Sequence, residues 1–169
     1  MTDASDENVL ENPSVRRVAA ALASFGVRGQ ITVLDGAART AQQAADALGI
    51  NIAQVANSLV FRAHRDHARI QPLLVLTSGA HRVDTIKVAD LLELHHISRA
   101  DAEFVREHTG FAIGGVAPIA LRHRMETVVD VSLSRYDQVW AAAGHPHTVF
   151  PTSYDELLRL TGGHAAEVA

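Results

Sequence analysis

The sequence contains no cysteine, and Lys87 is the only lysine among its 169 residues. The absence of cysteine excludes disulfides, thiol nucleophiles and thiolate-bound metals. No stretch approaches the roughly 18 apolar residues that a membrane-spanning helix needs. The amino terminus also lacks the basic and apolar segments of a secretory signal. The sequence therefore predicts a cytoplasmic protein with no membrane-spanning segment.

The common signatures of nucleotide-binding and hydrolytic enzymes are missing as well. There is no P-loop, no dinucleotide-binding glycine motif, no G-x-S-x-G elbow and no His-Glu-x-x-His pair. Three histidine groupings are compatible with a metal site: His64 with His67, His95 with His96, and His145 with His147. No carboxylates are spaced around them as further ligands, so solvated loop histidines explain the pattern better. We predict no metal and no cofactor.

The formal net charge is −4, from 15 basic and 19 acidic residues. Broad, sequence-independent binding to nucleic acid depends on neutralising many phosphates, so this charge argues against it. It does not exclude a protein that binds one end of a strand.

Hydrophobic residues make up 47% of the chain, enough to bury one core, and no break in composition divides the sequence. We therefore predict a single domain over residues 12–163. Residues 1–11 are polar and acidic, with little to bury, which predicts a disordered arm. Residues 164–169 have the same character and are expected to form a flexible tail.

Helical and extended patterns alternate early in the chain, whereas extended patterns follow one another later. Capping residues predict helices that begin after Asn12, Thr40 and Ser153. Helical spacing predicts further helices over 51–56, 84–94 and 98–108. Strands are expected at 30–34, 58–63, 72–76, 119–121, 127–131, 138–142 and 148–150, with the second and third forming a central hairpin. This order predicts an α+β domain with a mixed sheet.

The most distinctive stretch is a double-glycine loop between apolar runs, Gly114-Gly115-Val116-Ala117-Pro118. Two adjacent glycines let the backbone approach a ligand closely, and the proline fixes the far end of the loop. The pattern indicates binding through main-chain atoms. A glycine bulge or a tight corner in a buried strand would use the same residues.

Five segments of the chain occur in the order found in a known protein family. They cover residues 40–49, 54–61, 74–84, 102–118 and 157–162, and the fourth, AEFVREHTGFAIGGVAP, is the most specific. With these motifs the chain resembles the YbaK/ProX-type aminoacyl-tRNA deacylases, which include the editing insertion domain of bacterial prolyl-tRNA synthetases. The likeness extends from about residue 14 to residue 163.

The resemblance implies a single α+β domain whose central mixed, barrel-like sheet is flanked by helices. It also implies a free-standing hydrolase that cleaves the ester between a wrong amino acid and the terminal adenosine of tRNA. In that family the loop matching residues 114–118 lines the aminoacyl pocket, and the ribose hydroxyl of the substrate helps to activate water. The expected partners are the aminoacylated acceptor end of tRNA and an aminoacyl-tRNA synthetase.

Two regions depart from the family pattern. The family commonly has a lysine at the position of Asn57, where it contacts the phosphate or ribose of the terminal adenosine, and an amide brings no charge. Near residue 142 the family often has a serine and two glycines followed by a basic residue. Ala142 therefore replaces a pocket hydroxyl, and His145 replaces the basic side chain. Thr40 and Gly144 complete the predicted substrate-binding set.

Two functions remain open at this point. One is an editing deacylase, and the other is a binding module of the same fold that recognises an aminoacyl or nucleotide-like ligand without cleaving it. A cation near Asn57 that faces the glycine loop would favour the enzyme, although Asn57 would also suit the end of a short helix. The candidate cations are Arg82, Lys87, Arg122 and His145.

Overall fold

The computed structural model describes residues 8–169. The helices that follow the short helical stretch at residues 8–10 are α1 (Pro13–Ser24), α2 (Ala41–Leu48), α3 (Thr85–Leu91), α4 (Ala102–Thr109) and α5 (Tyr154–Thr161). The strands are β1 (Thr32–Val33), β2 (Val55–His64), β3 (Ile70–Ser78), β4 (His96–Arg99), β5 (Glu126–Asp130), β6 (Val139–Ala142), β7 (Thr148–Thr152) and β8 (His164–Ala166). Within the described residues, no helix has the length and apolar character needed to cross a membrane.

The strands form one mixed sheet in the order β1-β7-β6-β2-β3-β5-β8, and β4 pairs with β2 beside β6. The antiparallel β2–β3 hairpin is its centre, paired from Ala56 opposite Ser78 to His64 opposite Ile70. The β2–β6, β3–β5 and β5–β8 pairs are parallel. The prediction of a single α+β domain with a mixed sheet and a central hairpin is confirmed.

The two faces of the hairpin belong to two hydrophobic cores, because side chains alternate along a strand. Leu74 and Leu76 face the larger core, which also holds apolar residues of α1, α4, α5 and the loop after α4. Leu73 and Val75 face the second core, beneath α3 and β4. The larger core anchors the glycine loop, since Ala117 is fully buried within it.

The predicted caps of three helices are confirmed. The side chains of Asn12, Thr40 and Ser153 each accept a hydrogen bond from a backbone N–H in the first turn of α1, α2 and α5. Such a bond satisfies one of the N–H groups that a helix leaves without an internal partner. These ends depend on local chemistry, which explains why the sequence predicts them well.

Three local predictions are wrong, and pairing with distant residues explains two of them. The helix expected over 51–56 is only a 3₁₀ turn, Ile52–Gln54, because β2 already begins at Val55 to pair with β3 and β6. Asn57 therefore lies inside a strand and not at a helix end. The helix expected from residue 98 begins only after its cap Asp101, because β4 pairs with β2.

The third wrong prediction is the strand at 119–121, which is a bent segment. Ala120 has a φ of 60°, a left-handed conformation that interrupts an extended chain. Its carbonyl accepts a hydrogen bond from the side chain of Arg17, at a distance of 2.9 Å.

The flexible tail predicted at 164–169 is also corrected, because these residues are ordered. β8 pairs in parallel with β5, and Val168 is fully buried in the second core. The carbonyl of Val168 accepts a hydrogen bond from the N–H of Asp84 at 2.7 Å. Of the predicted disordered arm, residues 1–7 lie outside the described part, and residues 8–10 are helical.

Asp130 is a buried carboxylate where β5, β3 and the loop after β3 meet, and its side chain is only 1% exposed. Its oxygens accept hydrogen bonds from the N–H groups of Ser78 and Ser132 and contact His81 Nδ1 at 2.8 Å. Burial by itself would raise the pKa of Asp130, but these bonds outweigh burial and hold the pKa below its ordinary value.

Asp130→Asn is expected to lower the free energy of unfolding at pH 7 by about 2–4 kcal/mol, because an amide cannot accept the same set of bonds. Since the folded-state pKa is depressed, the ionised carboxylate stabilises the protein at neutral pH, and this contribution disappears as the pH falls below about 4. Urea unfolding at pH 7 and pH 3 measures both effects. The difference between wild type and variant should shrink at pH 3, whereas the exposed control Asp90→Asn should change little at either pH.

Candidate functional site

The site lies at a gap along one edge of β2. β6 pairs with β2 only at Val55 and Ala56, whereas β4 pairs with β2 only from Phe61 onward. Residues 57–60 therefore have no neighbouring strand on this edge. A strand left without a neighbour presents backbone hydrogen-bonding groups that a ligand can use.

Two hydrogen bonds show which residues of β2 direct their backbone groups into the gap. The carbonyl of Val55 accepts from Gly79, beyond the end of β3, and the carbonyl of His64 accepts from His95, before β4. The backbone N–H and C=O groups of successive residues point to opposite edges of a strand. In β2, those of the odd-numbered residues therefore point toward β3, and those of the even-numbered residues point toward the gap. The backbone N–H groups of Ser58 and Val60 therefore face the gap.

A cleft of about 250 Å³ opens beside this edge, between the start of α2, the glycine loop and the β6–β7 pair. We call it the alanine-lined cleft, after the small side chains that form much of its wall: Ala38, Ala41, Ala44, Ala56, Ala141 and Ala142. Such a wall leaves room for a small ligand group and offers mainly apolar contact.

Five of the predicted site residues line the alanine-lined cleft together: Thr40, Asn57, Gly114, Val116 and Ala142. They come from four separate parts of the chain. Two of them, Asn57 and Ala142, directly follow the paired residues Ala56 of β2 and Ala141 of β6. Gly114 has a φ of 90°, a conformation that favours glycine, and it exposes its backbone to the cleft.

Gly115 and His145 lie behind the wall, where two loops pack against each other. A β-carbon on Gly115 would lie 3.0 Å from Cα of His145 and 3.1 Å from its backbone N and C atoms. His145 Nδ1 accepts a hydrogen bond from the N–H of His147. Burial, together with the charges of His147 and Arg39, lowers the pKa of His145. His145 is therefore neutral at pH 7 and does not supply a cation.

The other three predicted residues also lie away from the cleft. Ala117 is fully buried in the larger core, and Pro118 borders a groove beside α5. Gly144 packs against α1, since a β-carbon there would lie 2.9 Å from the carbonyl oxygen of Ser14. These residues hold the loops in place and do not touch the space where a ligand would bind.

Arg39, which no sequence motif revealed, is the cation of the alanine-lined cleft. Its Cα, Cβ and Cγ atoms would lie within 3.3 Å of a β-carbon built on Gly114, so the side chain begins against the glycine loop. Its guanidinium has no hydrogen bond or ion pair with any residue from 8 to 169. The sequence signal was weak, because Arg39 lies in a loop and is marked only by the neighbouring cap Thr40.

The four cations considered from the sequence do not border this cleft. Lys87 donates a hydrogen bond to the carbonyl of Ala169 and pairs with Glu167. Arg82 borders a second cleft on the other side of the gap. Arg122 lies in the bent segment after the glycine loop, beside Arg17. Arg39 is therefore the nearest equivalent of a cation facing the glycine loop.

Trp140, the only tryptophan of the sequence, also lines the cleft. It lies on β6 opposite Val55 of β2 and is partly exposed. An indole ring in this position offers a flat surface on which a base or an apolar side chain can pack.

Arg17 of α1 holds both ends of the loop that carries the glycines. Its Nε donates to the carbonyl of Ala120 at 2.9 Å, and its Nη2 donates to the carbonyl of Thr109 at 3.1 Å. Its guanidinium carbon lies 4.5 Å from the centre of the Phe111 ring. Arg17 is therefore a positioning residue for the loop.

Arg17→Met is expected to speed amide hydrogen exchange at residues 112–117, because it removes both hydrogen bonds that hold the ends of the loop. The variant Arg17→Lys, which keeps a donor, should show a smaller increase, and Arg16→Met on the exposed side of α1 is the matched control. Unchanged exchange in Arg17→Met would contradict the positioning role.

The structure brings no metal-binding group together in the part of the chain that it describes. Over residues 8–169, no three histidine, aspartate or glutamate side chains are arranged to hold an ion. His64 and His96 stack with ring centres 3.9 Å apart, and the rings of His145 and His147 are 5.4 Å apart.

A comparison with protein families shows to which family the chain belongs. The sequence model of the aminoacyl-tRNA editing domain matches residues 35–160, which include every residue that lines the alanine-lined cleft. The chain belongs to this family. Helix α1, with Arg17, precedes the matched region of the editing domain.

Similar proteins agree with this assignment. Uncharacterized protein YwhH of Bacillus subtilis (strain 168) is 29% identical over 144 residues, covering 85% of this chain and 88% of that protein. A proline–tRNA ligase of Bacillus licheniformis is 34% identical over 106 residues, which are 63% of this chain but 17% of the ligase. A crystal structure of a protein proposed to be a trans-editing enzyme for prolyl-tRNA synthetase is 38% identical, with a TM-score of 0.84. That match covers 93% of this chain and 97% of the other.

Proposed function

We propose that this editing-domain protein is a free-standing aminoacyl-tRNA deacylase, which hydrolyses the ester of a mischarged tRNA. The alanine-lined cleft is the observation that carries the proposal, because it brings Gly114, Asn57 and Arg39 together around one small cavity. The likeness to a protein proposed to be a trans-editing enzyme, and to a segment of proline–tRNA ligases, supports the same activity. We place this activity in the cytoplasm, beside an aminoacyl-tRNA synthetase.

The aminoacyl group would occupy the alanine-lined cleft, with its ester near the gap in β2. The N–H groups of Ser58 and Val60 face this gap, and backbone donors of this kind can stabilise the negative charge that develops on an ester oxygen during attack. Gly114 lies across the gap, and its lack of a side chain lets Arg39 pack closely against the glycine loop.

Water would be activated by the substrate itself. The described residues that line the cleft include no Asp, Glu, His, Cys or Lys, so no side chain there is suited to act as a general base. A neighbouring ribose hydroxyl of the terminal adenosine can assist the water, and the protein contributes by orienting the ester. We assign to Arg39 the charge that contacts the phosphate or ribose in place of a lysine.

The shape and charge of the cleft favour a small, neutral amino acid. The alanines leave a cavity of about 250 Å³, which suits a short side chain. Arg39 provides a positive charge, and none of the lining residues within 8–169 is acidic, so a lysyl or arginyl side chain would be repelled.

The test is release of amino acid from a panel of mischarged tRNAs by the purified protein, with and without a chelator. We expect hydrolysis of esters of small neutral amino acids, no hydrolysis of lysyl or arginyl esters, and no effect of the chelator. If no ester is cleaved while a non-hydrolysable aminoacyl-adenosine analogue binds, the protein is a binding module and the proposal is wrong. Loss of hydrolysis with the chelator would instead indicate a metal-dependent enzyme.

A further inference from the structure

A second cleft lies on the other side of the gap in β2, and its volume is about 390 Å³. We call it the arginine-lined cleft, because Arg82 and Arg99 are on its wall. The two clefts share a wall formed by Ser58, Leu59, Ile113, Gly114 and Val116. A ligand that crosses this wall would contact both clefts at once.

The arginine-lined cleft carries two arginines whose charge no ion pair among the described residues compensates. Arg82 and Arg99 are exposed, and neither side chain forms a hydrogen bond or ion pair with a residue of the described range 8–169. Arg62 and Arg65 on β2, by contrast, pair with Asp101 and Glu126. No lining residue in that range is acidic. In a chain with a net charge of −4, two uncompensated arginines in one cleft create a local site for an anion.

Ser58, on the shared wall, provides an independent observation. Its Oγ is shielded from solvent and has no hydrogen-bond partner among the described residues. A buried hydroxyl without a partner is uncommon, and it is explained when a ligand completes the bond. The backbone N–H of the same residue faces the gap, so Ser58 offers a donor on the wall that the two clefts share.

We propose that the arginine-lined cleft binds the phosphodiester backbone of the nucleotides that precede the terminal adenosine of tRNA. The inference rests on the proposed function: if the aminoacyl group fills the alanine-lined cleft, the ribose lies at the shared wall and the preceding phosphate enters the second cleft. Guanidinium groups suit phosphate because they donate two hydrogen bonds in a fixed geometry. Ile113, which is 54% exposed, and Val83 add apolar surface for a base.

Fluorescence anisotropy with a 5′-phosphorylated CCA trinucleotide tests the site directly. Arg82→Gln and Arg99→Gln are each expected to weaken binding about 3- to 10-fold. The slope of log K against log salt should become shallower by about 0.7 for each phosphate that the variant no longer neutralises. Arg69→Gln, in the exposed turn of the hairpin, is the matched control and should leave both quantities unchanged.

Kinetics separate this inference from the proposed function. In the arginine variants, KM for a mischarged tRNA should rise while hydrolysis of the phosphate-free aminoacyl-adenosine ester stays unchanged. If hydrolysis of the aminoacyl ester of tRNA does not depend on either arginine, the inference is wrong, whereas the proposed deacylase activity still holds. Arginine-dependent binding of the trinucleotide by a protein that cleaves no ester would support the inference and refute the deacylase. Equal competition by inorganic phosphate and by trinucleotide would indicate a free-anion site and overturn the inference.

Discussion

Gly115→Val is expected to lower kcat/KM for deacylation about 100-fold or more, the largest effect of any single substitution considered for this protein. A β-carbon at this position would lie 3.0–3.1 Å from three backbone atoms of His145, and valine adds two further methyl groups. The backbone of His145 must therefore move away. Gly114 and Val116 flank the substitution and line the cleft, so the walls that orient the ester would shift with it.

Gly115→Val should also lower the free energy of unfolding, so stability and activity must both be measured. Overpacking of this kind lowers the free energy of unfolding by about 1–3 kcal/mol, so the variant should remain folded but melt at a lower temperature. Gly115→Ala, which adds the β-carbon alone, should give an intermediate loss of activity. Gly36→Val is the matched control, because a β-carbon there meets no atom within 4 Å. A folded Gly115→Val protein with full activity would show that loop packing does not shape the site.

Arg39→Gln is expected to lower kcat/KM for a mischarged tRNA about 10- to 100-fold, because it removes the cation that faces the glycine loop. A hydrogen bond between a guanidinium and a phosphate or hydroxyl oxygen contributes about 1.5–3 kcal/mol. Arg39→Lys keeps the charge but loses the bidentate geometry of the guanidinium, so its activity should fall between those of wild type and Arg39→Gln. Arg28→Gln, an exposed arginine outside both clefts, should behave as wild type.

A second substitution tests whether deacylation needs only a positive charge in the cleft or needs that charge at position 39. In the Arg39→Gln background, Asn57→Lys places a cation elsewhere on the wall of the same cleft. If the cleft needs one positive charge near the ester, this double variant should recover part of the missing activity. Failure to recover any activity, together with a normal fold, would mean that Arg39 acts through its specific position.

Local chemistry explains which features the sequence predicts well. Asn12, Thr40 and Ser153 are recognisable as caps because the bonds they make are to residues two or three positions along the chain. The central hairpin follows from two apolar runs separated by a short polar stretch. The order of five short motifs indicates the family, and the family match confirms it.

The predictions from local sequence were wrong where pairing with a strand far away in the chain sets the conformation. Asn57 lies in a strand because it pairs with Thr77 of β3, and the tail at 164–169 is ordered because β8 pairs with β5. Propensity over a few residues cannot anticipate such partners, since each contact depends on segments far apart in the chain.

The sequence by itself determined the family, the main helices, the hairpin and the glycine loop, because each is encoded in neighbouring residues. Only the tertiary structure decided which residues face the cleft. Arg39 joins Gly114 there, whereas Gly115 and His145 lie behind its wall. The physical reason is that the wall is assembled from segments far apart in the chain. α2 packs with Val55 of β2 in a small cluster of its own, whereas β2, β6 and the loop after α4 meet in the larger core, and no short stretch of sequence specifies these contacts.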